Sequence, residues 1–303
     1  MTEYGNTPLG GAPVPPVGAD PRFTPSSYGY PLPQQKKSKA PWAILIVLAI
    51  LLLFGGISWI VSQTPLGPKN VALIHLEGTI GEDSGACNSE GLLSLLNEAE
   101  QDSSVAAVVL RVDSGGGYSA EGEEMAKYVK DFSKPLVVSS GSTNASAAYF
   151  ISSQADYIYA NASSSVGSIG TIIQLMDYSE LLDMLGIDAV SIESSPNKDS
   201  SYGTRPLTDE EIAHYQNQVN QINQVFINAV SEGRNMSVDD VKKLATGLTF
   251  TGSDGVQNGL IDEIGTLSDA CDKAASLAGL SHYGIVSLDS SSSYDELLSL
   301  LDN

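Results

Sequence analysis

The chain has 303 residues, 42% of them hydrophobic, and carries 15 Lys and Arg against 36 Asp and Glu, a formal net charge of −21. That length suits one large domain or two small ones, and the acidic balance argues against nucleic acid or an anionic lipid surface as a partner. The first 40 residues hold Arg22, Lys36, Lys37 and Lys39 against Glu3 and Asp20, so the acidic excess falls on the remainder.

Residues 1–40 are rich in Pro, Gly, Ser and Tyr, with "GGAPVPPVGADP" at their centre. Such a stretch has little apolar surface to bury and reads as a disordered tail or tether. Residues 41–63 read as a transmembrane helix. From Trp42 to Val61 no charge interrupts the apolar run. At about 1.5 Å per residue it matches a hydrocarbon core of about 30 Å. Trp42 and Trp59 lie near its two ends, where indoles favour the interface. Lys36, Lys37 and Lys39 precede it and Lys69 alone follows, which places the N-terminus in the cytoplasm and the rest outside. A cleaved signal peptide is the alternative; the long leader, the length of the apolar run and the lack of an A-x-A site oppose it.

A linker (64–70) leads to alternating strands and helices. Strands are expected at 71–78, 105–112, 135–140, 156–160 and 188–194, and helices at 91–102, 120–132 and 178–186. From Thr208 the pattern turns helical, with Thr208 as N-cap and Glu211 completing a capping box; a second helix starts at 237. Continuous apolar strands separated by helices indicate an α/β domain with a mainly parallel sheet over 71–288. Residues 289–303 read as a Ser-rich link and a short acidic helix.

Cys87 and Cys271 both fall beyond the apolar run, where either a disulfide or two unpaired thiols fits. His75 lies in a strand, His214 in a helix and His282 near the C-terminus, none beside a Ser-rich turn. No HExxH, Walker loop or CxxC pair occurs, so nothing calls for a metal, nucleotide or other cofactor. Asn144, Asn161 and Asn235 open N-x-S sequons that chance explains in a Ser-rich chain; Asn144's contains Ser146.

Two strand-to-helix turns invite nucleophilic chemistry. In "RVDSGGGYSAEG", Gly115, Gly116 and Gly117 leave backbone N–H groups unshielded and able to face a developing negative charge. In "STNASAAYFISS", Ser146 stands at the first turn of a helix, where free N–H groups suit an oxyanion; an ordinary helix cap is the plainer reading.

The succession "DSGGG", "NASAAYF", "SSVGSIGTI", "SSPNKDSSYGTRPLTDEE" and "FTGSDGVQNGLIDEIG" resembles the signal peptide peptidase A family, the S49 serine peptidases, over residues 71–280. The resemblance implies a ClpP/crotonase-like fold and a Ser/Lys dyad. Matched by position, Ser146 corresponds to the nucleophile, Lys198 to the general base, Ser168 to the serine that orients that lysine, and Gly116 and the Ala147 N–H to the oxyanion donors. It further implies signal peptides as substrates, membrane attachment through 41–63, and a homo-oligomer, with the dyad formed either within one chain or between neighbouring subunits. An exposed lysine, with pKa about 10.4, is protonated at neutral pH; burial would have to neutralise Lys198. The sequence departs from the family in Ala147 and Ala148 where two glycines are usual, in Gly115 where Pro is common, and in Gly255 where Ala is. A non-catalytic scaffold on the same domain is the alternative. An acyl-CoA enzyme of the crotonase type fits an external domain poorly.

Overall fold

The computed structural model describes residues 29, 42, 45–53 and 69–289. The chain divides into two units at Trp59/Ile60. In the first, residues 45–53 are helical and their apolar side chains are exposed. No helix of the described residues is long and apolar enough to cross a membrane. Most of the expected tail, of the 41–63 span, of the linker and of the C-terminal helix lies outside the described residues.

The second unit is a mixed α/β domain. Its strands are β1 (Asn70–Ile80), β2 (Val105–Gly117), β3 (Leu136–Ala145), β4 (Tyr157–Ala160), β5 (Ser165–Gly167), β6 (Thr249–Thr251), β7 (Glu263–Ile264) and β8 (Gly284–Ser287). Its helices are α1 (Ser89–Gln101), α2 (Ser119–Asp131), α3 (Ala147–Ser152), α4 (Ser179–Leu185), α5 (Asp209–Gly233), α6 (Val238–Leu244), α7 (Gly252–Gln257) and α8 (Leu267–Leu277). The sheet order is β6-β5-β3-β2-β1-β8, with β4 beside β3 and β7 beside β4. All pairs are parallel except β5 with β6.

The continuous apolar strands are explained by burial on both faces. Ala72, Ile74, Leu76, Val108, Leu110 and Val112 join one core with residues of α1, α2, α3 and α5. Val71, Leu73, Ala107 and Val109 turn to the other face, beneath Ala270, Cys271, Ala274 and Ala275 of α8. Each fully buried Val, Leu or Ile contributes about 1.5–3 kcal/mol. Cys87 belongs to the first core and Cys271 to the second, on opposite faces of the sheet, so the two thiols are separate and no disulfide forms. Burial raises both thiols, to about 11 and about 12 respectively.

The caps fall where the sequence places them. Thr208 and Glu211 form the capping box of α5, and Ser237 caps α6. Asn144 is fully buried, with its amide donating to Ser140 Oγ, which rules out that sequon.

One expected element is absent. Residues 188–194 form no strand. They belong to a stretch of chain, 171–203, in which α4 buries none of its residues. Ile172, Met184, Val190 and Ile192 are exposed there, Ile192 at 97%. The β-branched pattern is present, but within this chain these residues meet no neighbouring strand to pair with.

Candidate functional site

Ser146 is the junction between β3 and α3. Its backbone has φ 53° and ψ −126°, a left-handed setting that a side chain strains to adopt. Among the described residues only Ser146, Ser168 and Asn235 are non-glycines with positive φ. Two of these three are neighbours across the sheet. Ala145 pairs with Gly167, and the Ser146 amide donates to Gly167 O at 2.8 Å. A serine serving as a helix cap would accept from the first-turn amides; Ser146 makes no such side-chain bond. Half-buried and capping nothing, Ser146 stands at a sharp strand-to-helix bend, the setting in which a serine nucleophile is commonly presented.

Gly116 stands directly against it. Its φ is +101°, and a Cβ there would lie 2.7 Å from Ser146 Cβ and 2.8 Å from Ala147 N. Only glycine permits this approach. The Gly116 amide donates to Ser114 Oγ at 3.1 Å, and Ser114 Oγ donates to Gly78 O at 2.6 Å. Gly116 must release that bond before it can serve an oxyanion.

The departures from the family pattern are matched by neighbours. A Cβ on Gly122 of α2 would lie 3.0 Å from Ala147 Cβ, so the missing side chain on one helix makes room for the extra methyl on the other. A Cβ on Gly255 would lie 2.7 Å from Ile261 Cγ1 and 3.0 Å from Val166 Cγ2, so these two side chains occupy the space an alanine would need.

Ser146 and Ala147 line a crevice with Glu123, Phe150 and Val225. Phe150 stacks on Phe226 of α5 with ring centroids 4.8 Å apart. Through Glu123, Phe150 and Val225 the crevice opens into a groove of about 610 Å³ between α2 and α5. The groove has an apolar floor, including Ala126 and Ala229, and a charged rim.

The other two residues stand differently. Ser168 donates its hydroxyl to Gly247 O at 2.9 Å. Lys198 lies on an exposed turn, its amide bonded to Ser195 O, and is not among the residues lining the Ser146 crevice. One chain therefore brings together Ser146, Ala147, Gly116 and the backbone of Ser168, and leaves Lys198 apart.

Sequence reasoning missed the groove and the role of Arg205. Arg205 bonds both Asp199 and Glu211, although the sequence reading used Glu211 only as a cap. An arginine placed six residues from each of two acids was the available signal.

A serine strained at a strand-to-helix bend, facing a glycine turn and opening on an apolar groove, defines a hydrolase-like site on a mixed α/β sheet. Comparison with known proteins identifies the lineage. The model of peptidase family S49 matches residues 129–281. A Methanocaldococcus jannaschii protein that carries a protease name is 39% identical over 64% of this chain and 63% of its own. An Enterococcus faecium protein named for the signal peptide peptidase SppA is 36% identical over 67% of this chain and 62% of its own. A Synechocystis sp. protein with a protease name is 33% identical over 70% of this chain and 76% of its own. The chain belongs to peptidase family S49. It spans less than two thirds of the length of the first two of these relatives.

Proposed function

We propose that this chain is a membrane-anchored serine endopeptidase that cleaves apolar peptides, signal peptides among them, through Ser146 and Lys198. The observation that carries the reading is the left-handed backbone of Ser146, set against Gly116. Strain of this kind costs about 1–3 kcal/mol and gathers at reacting groups. Kinship with a relative named for the signal peptide peptidase supports the substrate class, as does the apolar floor of the groove. The domain is read as ClpP/crotonase-like on the same kinship.

In this mechanism a neutral Lys198 amine takes the proton of Ser146 Oγ, and the oxygen attacks the peptide carbonyl. The amides of Gly116 and Ala147 hold the oxyanion, each contributing about 10²–10³ in rate. The leaving amine receives the proton, and a water activated by the same lysine hydrolyses the acyl-enzyme. Ser168 orients the amine. Because Lys198 is exposed and outside the Ser146 crevice, it reaches a serine on a neighbouring subunit. The exposed apolar side chains of 171–203, just before Lys198, support such a homo-oligomer. The apolar run from Trp42 to Val61 anchors the chain in the cell membrane with the catalytic domain outside the cytoplasm.

The test is hydrolysis of a fluorogenic peptide and labelling by a serine-reactive fluorophosphonate. Ser146→Ala and Lys198→Ala each abolish hydrolysis. Co-expression of the two inactive variants restores part of it, because mixed assemblies contain intact serine–lysine pairs. Unchanged hydrolysis in either single variant would refute the dyad and favour a scaffold that binds peptides without cutting them.

A further inference from the structure

The segment "RPLTDEE", residues 205–211, leads into α5, and in the structure its arginine is a hub. Arg205 Nη2 and Nε donate to Asp199 Oδ1 and Oδ2 at 2.6 and 3.1 Å. Arg205 Nη2 and Nη1 donate to Glu211 Oε1 and Oε2 at 2.8 and 3.0 Å. Asp199 is 5% exposed and Glu211 3%. Glu211 also accepts from the Thr208 amide at 2.8 Å. Only a guanidinium has the planar fork to grip two carboxylates in this way.

The turn held by this grip carries Lys198. The Lys198 amide donates to Ser195 O, the Tyr202 amide donates to Asp199 O, and the Ser200 and Tyr215 hydroxyls lie 2.7 Å apart. The turn is thereby tied to α5 at two places, while the Lys198 side chain stays on the outside.

We infer that Arg205 is a positioning residue for the lysine base. It fixes the Lys198 turn on α5 and keeps the Asp199 carboxylate engaged, away from the amine next to it. The inference rests on the Ser146/Lys198 reading above.

The physical argument concerns charge. An amine that is to accept a proton must be neutral, and a free carboxylate beside it favours the ammonium. The charged and titratable groups near the Lys198 turn are Glu193, Asp199 and Tyr202 on its own segment, Arg205, and Glu210, Glu211, His214 and Tyr215 on α5. Glu123 lines the Ser146 crevice that the amine is to enter. Asp199 is its immediate neighbour in the chain and is buried, and Arg205 is the foremost of its side-chain partners, ahead of Glu193 and Ser191. The Asp199 charge is felt locally. Desolvation first, and Asp199 second, raise the Glu193 carboxyl above its ordinary range.

The test uses the full chain in detergent micelles and records kcat and KM separately across pH. In Arg205→Met, kcat falls by about ten- to a hundredfold from misplacement of the base while KM changes little. The acidic limb of kcat/KM moves alkaline by about one pH unit or more. Adding Asp199→Asn to that variant returns the limb to its wild-type position. Arg205→Lys, which keeps the charge and loses the fork, falls between. If Arg205→Met does not fold, Arg205→Lys with and without Asp199→Asn supplies the same comparison. A wild-type kcat and limb in the Arg205 variant overturns the inference, as does a limb that stays displaced in the double variant. Ser146→Ala and Lys198→Ala run alongside. Hydrolysis surviving in either overturns the dyad and this inference with it. Loss in both, beside an unaffected Arg205 variant, overturns this inference alone.

Discussion

Replacing Gly116 by alanine separates the proposed oxyanion turn from ordinary loop structure. The added methyl would sit 2.7 Å from Ser146 Cβ, 2.8 Å from Ala147 N and 3.0 Å from Ala145 O. Two of these are backbone atoms of the β3–α3 bend and cannot swing aside like a side-chain end. The residue must also hold φ +101°, where an L side chain costs about 1–3 kcal/mol. Relief requires the two turns to separate, which carries the Gly116 amide away from Ser146. Loss of one oxyanion donor lowers kcat by about 10²–10³. Gly115→Ala is the control, since its φ is not positive and a Cβ there meets nothing within 4 Å. The assay is kcat and KM on a fluorogenic peptide, with thermal unfolding of each variant. Gly116→Ala loses kcat at nearly constant KM and also loses stability, while Gly115→Ala stays near wild type. A Gly116→Ala enzyme with wild-type kcat refutes the oxyanion assignment. Equal damage from both substitutions refutes the geometric reasoning.

Tyr149 is fully buried and its hydroxyl donates to Leu260 O at 2.8 Å, which ties α3 to the chain beyond α7. Tyr149→Phe removes that donor and destabilises the domain by about 1–2 kcal/mol, measured by urea unfolding. The carboxyl of Glu211 is held down to about 2, first by Arg205 and then by the Thr208 amide. Its folded value lies below its unfolded one, so its contribution is complete above the ordinary carboxylate range and fades as pH falls toward 2. Glu211→Gln is therefore less stable than wild type at pH 7, and the gap closes on acidification; a gap that persists at pH 2 contradicts the assignment.

The strands were legible because both faces of the sheet are covered, so Leu73, Ile74, Val108 and Val109 appear as unbroken apolar runs. Helix starts were legible because the caps are local, as at Thr208 and Ser237. Residues 188–194 misled for the opposite reason. Their apolar, β-branched pattern is real, but Val190 and Ile192 face outward, and a strand needs a partner as well as a propensity. Part of the site was legible only as order along the chain. The sequence marks "DSGGG" and "NASAAYF" as strand-to-helix turns with free N–H groups, yet it cannot show that Ser146 has a positive φ or that Gly116 sits against it.

That strain has a structural source. β3 pairs with β4 along its first half and with β5 along its last three residues, Thr143, Asn144 and Ala145. The chain must then reverse into α3 within one residue while the Ser146 amide remains bonded to Gly167 O. Ser168 follows the end of β5 and is also left-handed, and its hydroxyl donates to Gly247 O. Two serines are thus pinned side by side at the ends of parallel strands by bonds their neighbours make. A glycine at either position would relieve the backbone, and it would also remove the hydroxyl. What separates the two is the hydroxyl: Ser168 donates its own to Gly247 O, whereas Ser146 makes no cap bond and lines the crevice beside Gly116, which is why Ser146 is the serine proposed to attack.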